Sequence, residues 1–135
     1  MAGYSGTPLA KKLGIKPGSR ILTLAAPKAY RTWLGPLPFD VSFLAKPSRE
    51  GADIVHLFVP SMSNFKKCLP RARRAMKKDG ALWVSWYKKA AKIPTDVTED
   101  LIRAQALKTD LVDIKVCAVT EEWSGLKLMV RKKLR

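Results

Sequence analysis

The sequence predicts one α/β domain of three layers, with a mainly parallel sheet between helices and an antiparallel hairpin at its end. Three observations predict it. Short apolar segments without polar alternation recur along the chain, the pattern of strands buried on both faces. Between them lie segments with apolar residues every three or four positions, the pattern of helices packed on a sheet. The last two strands are separated only by a short turn at Ser124-Gly125, which makes them an antiparallel pair. A chain of 135 residues is about one domain. No linker, repeat or low-complexity segment divides it, so residues 1–135 are read as a single unit.

Taken in order, Thr7-Pro8 opens a short helix, with Thr able to cap free amides and Pro suited to the first turn. Gly14 ends it. Arg20–Ala26 is a buried strand stopped by Pro27, and a short helix follows before Gly35-Pro36. Phe39–Ala45 is a second strand and Asp53–Pro60 a third. Phe65, Cys68, Leu69, Ala72, Ala75 and Met76 then form one helical stripe, capped by Ser61 or Ser63 and kinked or restarted at Pro70. The turn "KKDG" closes that helix, and "ALWVSW", Ala81–Trp86, is a fourth strand. Asp96 and Glu99 are spaced as a capping box for a helix from Val97 to about Lys108. Leu111–Trp123 alternates as a strand, and Gly125–Leu134 pairs with it.

Charge is the unusual property. Lys and Arg number 26 against 11 acids, a net +15, and such a field either attracts polyanions or serves solubility. No apolar run is long enough for a membrane span, and the N-terminal stretch lacks the apolar core of a secretion signal. Cys68 and Cys117 stand in no metal-binding spacing and read as two buried thiols. These features point to a cytoplasmic protein.

Ligands of open α/β sheets bind at the carboxyl ends of the strands. At that edge the sequence places Lys28 after the first strand, Ser61 after the third, and Lys88, Lys89 and Lys92 after the fourth. These ammonium and hydroxyl groups suit an anionic ligand, with Trp86 as a flat wall. The bland reading is that lysines mark where strands exit to solvent. Lys66, Lys67, Arg71, Arg73, Arg74, Lys77 and Lys78 form a second cationic set, on the long helix. They read either as a solvated face or as a track for a nucleic-acid backbone. His56 is the single histidine, which argues against a metal site or a catalytic triad and for a buried, hydrogen-bonded side chain.

The element order with "KKDG" before "ALWVSW", and the closing strand pair from Leu111 to Arg131, resembles a trimmed Rossmann-like S-adenosylmethionine-dependent methyltransferase. More closely, "YSGTPLAKKLGIKPGSR", "DGALWVSWYKK", "TDVTEDLIRAQAL" and "LVDIKVCAVTEEWSGLKLMVRK" resemble the bacterial family called domain of unknown function 3052, with departures at Tyr87 and Ala91 where Pro and Ser are the pattern. The methyltransferase resemblance implies a Gly-rich turn after the first strand and an acid ending the second, to meet the ribose. Here the turn "LAAPKAYR" has no glycine, and the second strand ends in Ala45-Lys46-Pro47; Asp40 lies at its wrong end and Glu50 in the loop. The expectation is therefore a methyltransferase-like protein without S-adenosylmethionine or other cofactor. It would be non-catalytic, binding an anionic small molecule or partner at the sheet edge. The alternatives are an atypical S-adenosylmethionine-dependent transferase, and nonspecific nucleic-acid binding through the basic helix.

Overall fold

The computed structural model describes residues 6–135. Tyr4 and Ser5 of the first resembling segment, and the start of the N-terminal stretch read for a secretion signal, lie outside the described residues. Six strands, β1 (Arg20–Leu24), β2 (Ser42–Leu44), β3 (Ala52–Phe58), β4 (Met76–Tyr87), β5 (Leu111–Ala118) and β6 (Trp123–Val130), form one sheet in the order β2-β1-β3-β4-β6-β5. β1 pairs parallel with β2 and β3, and β3 parallel with β4. β6 runs antiparallel to both β4 and β5. Helices α1 (Leu9–Lys12) and α2 (Tyr30–Leu34) supply Leu9, Leu13, Tyr30 and Leu34 to one face, against Ile21, Ile54, Phe58 and Trp83. Helices α3 (Met62–Ala75) and α4 (Glu99–Ala106) supply Phe65, Leu69, Ala72, Ile102 and Ala106 to the other, against Leu22, Val55, Leu57 and Val84. The three-layer α/β expectation holds.

Successive side chains of a strand point to opposite faces, so one strand serves two cores. In β4, Leu82, Val84 and Trp86 face α3 and α4, while Trp83 faces α1 and donates its indole N–H to Leu13 O at 3.1 Å. In β3, His56 is fully buried and sits between two hydroxyls: Nδ1 is 2.8 Å from Tyr30 Oη and Nε2 is 2.7 Å from Ser85 Oγ. The buried-histidine reading is what the structure shows. Cys68 and Cys117 are both free, half-buried thiols.

Several local readings are corrected. Pro8, not Thr7, occupies the capping position of α1. β2 is shorter than expected because Asp40 turns left-handed (φ 62°) and leaves Phe39 exposed. Ser61 does cap α3, accepting from Asn64 N at 3.2 Å, and α3 runs unbroken through Pro70. "KKDG" is not a turn after the helix. β4 begins at Met76, and Lys77, Lys78, Asp79 and Gly80 bulge opposite Asp53, between the pairs Ala52–Met76 and Ile54–Ala81. α4 starts two residues later than expected, with Thr98 as its cap, accepting from Leu101 N at 3.2 Å.

Candidate functional site

The chain passes from β1 outward to β2 and then returns to β3 on the other side of β1, so the strand order reverses between β1 and β3. The loops leaving a sheet at such a reversal diverge to opposite faces and open a crevice, the usual ligand position in this architecture. The loop after β1 begins at Ala25, whose φ is 60°. That is a left-handed backbone, a conformation for which glycine is the default residue because a Cβ strains it by about 1 kcal/mol or more. The glycine-free bend therefore still takes the turn a glycine would take. Ala25 and Ala26 carry the smallest side chains compatible with a Cβ, and Ala25 is exposed, so the main chain there is open to a ligand. Sequence reading missed this residue, since alanine is no signal for a left-handed turn.

One strand further, at the end of β4, lies an open cavity of about 530 Å³. It gathers three of the anticipated residues, Trp86, Lys89 and Lys92, with Ile93, Pro94 and Val97 as apolar lining. The loop that shapes it is fixed across the sheet: Thr95 Oγ1 donates to Pro60 O at 2.8 Å, and Asp96 Oδ1 accepts from Met62 N at 2.8 Å. Asp96 thus serves the amino end of α3 rather than capping α4. Glu99 also lines the cavity, but its carboxylate is bound by Arg103, which reaches Asp100 and Asp113 as well. The hydrogen bonds that Arg103 donates to Glu99 and then to Asp113 hold its guanidinium still more firmly protonated. Among the described residues no ion pair joins these acids to Lys89 or Lys92. Ser61 is occupied as a helix cap, and Lys28 and Lys88 stand outside the cavity lining.

The second cationic set does not lie on one helix. Lys66, Lys67, Arg71 and Arg74 project from α3 and are exposed. Arg73 is held by both oxygens of Asp110 at 2.9 to 3.1 Å, and its bonds hold the Asp110 carboxyl below the usual carboxylate range. Lys77 and Lys78 belong to β4, and Lys77 Nζ donates to Asp53 at 2.8 Å. Among the described residues no group of His, Cys, Asp and Glu could hold a metal, and no helix is long and apolar enough to cross a membrane.

A nucleoside cofactor at the switch point would need close approach to the main chain and an acceptor for its ribose. The bend at Ala25 fits the close approach such a group needs. The end of β2, Ala45-Lys46-Pro47, offers it no carboxylate.

No family model matches the chain, and no curated protein matches it. Among solved structures, an S-adenosylmethionine-dependent methyltransferase from Aquifex aeolicus superposes with a TM-score of 0.61 at 13% identity, over 90% of this chain and 87% of that one. Two others, from Geobacter sulfurreducens and Thiobacillus denitrificans, give TM-scores of 0.59 and 0.57 at 9% and 11% identity, each over 91% of this chain and 89% of its own. Both of those are crystallised with S-adenosyl-L-homocysteine. This corrects the expectation that the chain takes no cofactor. That expectation rested on the glycine-free bend and on the missing acid after the second strand. The fold is shared with proteins crystallised with S-adenosyl-L-homocysteine and Ala25 adopts the open turn, while the second strand still ends without a carboxylate. At these identities the likeness shows the fold alone, and that fold is the Rossmann-like one of S-adenosylmethionine-dependent methyltransferases.

Proposed function

We propose that this protein is an atypical S-adenosylmethionine-dependent transferase that holds its donor at the switch point between β1 and β3. The observation that carries the reading is the left-handed Ala25 at the end of β1, in a sheet of methyltransferase-like fold. The donor supplies an electrophilic methyl group on a sulfonium. The protein's own residues supply the rest. Main-chain groups at Ala25 and Ala26 bind the nucleoside, standing in for the missing carboxylate at β2. Lys28, Lys88, Lys89 and Lys92 surround the edge with positive charge suited to the donor's amino-acid carboxylate. The cavity walled by Trp86 receives the group to be modified. The resemblance to the domain of unknown function 3052 family and a cytoplasmic location belong to the same proposal, on the segments and composition given above.

Calorimetry with S-adenosylmethionine and S-adenosyl-L-homocysteine tests it. Both should bind the wild-type chain at one site. Ala25→Val places a β-branched side chain in a left-handed turn and should weaken both by at least about ten-fold. Ala25→Gly should keep binding and raise stability by about 1 kcal/mol, because only strain is removed. Absence of heat and of any thermal shift at saturating S-adenosyl-L-homocysteine would sink the reading.

A further inference from the structure

The face of the β5–β6 hairpin that turns toward α1 is basic and only partly covered. α1 packs over β4, where Trp83 bonds Leu13 O, and Lys12 Nζ reaches β5, donating to Ala118 O at 3.3 Å. Beyond that, Cys117, Lys127 and Met129 remain half-buried and Lys115 exposed. Lys115 and Lys127 are register partners, two like charges directly across an antiparallel pair, an arrangement that destabilises a sheet. Lys127 and Lys16 line one open cavity of about 510 Å³ at the amino edge of β1, β3 and β4. Its other lysine, Lys77, is tied to Asp53, which also receives Arg20 N, and Asp79 is the remaining acid there.

The electrostatics agree with the geometry. Burial, then the charges of Lys115, Lys16 and Arg135, lower the Lys127 ammonium from its ordinary value. Burial raises the Cys117 thiol, against the opposing pull of Lys12, Lys115 and Lys88. No acid contributes to either balance. Lys12, Lys16, Lys115 and Lys127, from α1, the loop after it, β5 and β6, thus share one sheet face, with the charge of Arg135 felt at Lys127 and that of Lys88 at Cys117. At its carboxyl end the half-exposed Tyr87 ring stacks on Trp123, with centroids 4.0 Å apart and planes 29° apart. Tyr87 lies on that same face, since Tyr87–Trp123, Ser85–Gly125 and Trp83–Lys127 are alternate pairs of β4 and β6.

We propose that this face is a docking groove for single-stranded nucleic acid, with Lys12, Lys16, Lys115, Lys127 and Arg135 along the phosphates and Tyr87 as a stacking platform for a base. A row of cations ending in an aromatic ring is the chemistry of sequence-tolerant single-strand binding. An acidic peptide would satisfy the lysines and leave the ring unused. The inference is independent of the transferase reading, because binding is measured without any methyl donor.

The test is fluorescence anisotropy on the full chain with a labelled single-stranded RNA of about 12 nucleotides across a salt series. The variant Lys16→Gln, Lys115→Gln, Lys127→Gln should bind at least about ten-fold more weakly at low salt. Its log–log salt slope should be shallower by about 2, from three lost phosphate contacts. The control Lys66→Gln, Lys67→Gln, Arg71→Gln removes equal charge from α3 and should bind as wild type does. Tyr87→Ala should weaken the RNA and leave the direct binding of labelled polyglutamate unchanged. The groove variant should also unfold at a higher urea midpoint than wild type, which establishes that its loss of binding is not a loss of fold. Equal losses in the two triple variants, displacement of RNA by polyglutamate at equal charge concentration, or no RNA binding at low salt would each overturn the proposal.

Discussion

Replacing His56 with leucine should cost the domain about 3–5 kcal/mol of stability, read as a lowered urea midpoint at an unchanged slope. The imidazole is fully buried in β3, stacked on Phe58 with centroids 4.4 Å apart and planes 17° apart. Among the described residues it is the hydrogen-bond partner of two buried hydroxyls, Tyr30 Oη and Ser85 Oγ. Leucine fills most of the volume and orphans both hydroxyls, each at about 1–3 kcal/mol. Adding Tyr30→Phe and Ser85→Ala to His56→Leu should recover much of the loss, because the polar groups then leave together. If His56→Leu alone is neutral, a further partner such as water satisfies those hydroxyls.

The same residue sets the acid limb. Burial holds the His56 pKa down at about 3, against an ordinary value of 6.5. The unfolded chain therefore binds a proton that the folded chain refuses. The stability this confers is complete above pH 6.5 and drains away as pH falls toward 3, by at most about 5 kcal/mol. Asp110 and Asp113, held low by hydrogen bonds from Arg73 and Arg103, add a second loss only below the ordinary carboxylate value, at about pH 4 and under. Wild type should thus lose stability steadily between pH 6.5 and 4.5, and His56→Leu should be flat there. Parallel curves for the two proteins would place the titration elsewhere.

Much of the fold was legible because parallel strands are buried on both faces and so read as unbroken apolar runs: Ile21-Leu22, Ile54 to Phe58, and Leu82 to Val84 are all core. The stripe of Phe65, Leu69, Ala72 and Ala75 was equally plain. What failed were places where a residue serves an unexpected neighbour. Asp96 has the spacing of a capping box but bonds Met62 N, more than thirty positions earlier in the chain. Ala25 looks like any alanine, and only its surroundings hold it left-handed. The basic surfaces show the same limit. The cations between Lys66 and Lys78 lie close in the sequence and stand out, yet Arg73 and Lys77 are spoken for. Lys12, Lys16, Lys115, Lys127 and Arg135 are scattered along the chain, and only the packing of α1 and the register of β5 on β6 bring them together.

Gly80→Ala should cost about 3 kcal/mol and lower the melting temperature by about 10 °C. The residue sits in the bulge where "KKDG" faces Asp53, and a Cβ there would come within 2.8 Å of Asp53 O, 3.0 Å of Ala52 O and 3.2 Å of Lys77 O. All three are backbone oxygens. They cannot rotate away as a side chain does, and the first two belong to β3, which is paired on both sides. Relief requires β4 to shift along β3, and that pulls Lys77 from Asp53 and opens the cavity behind Lys16 and Lys127. Gly125→Ala is the informative comparison. There the added Cβ meets Val119 Cγ2 at 3.0 Å and Trp83 Cε3 at 3.2 Å, both side-chain atoms able to yield slightly. Its cost should be smaller, about 1–2 kcal/mol. The glycine of "KKDG" is thus required for close approach between strands rather than for a positive φ. Equal melting temperatures for the two variants would show that β4 can slide, and that the bulge is not what sets the register of the sheet.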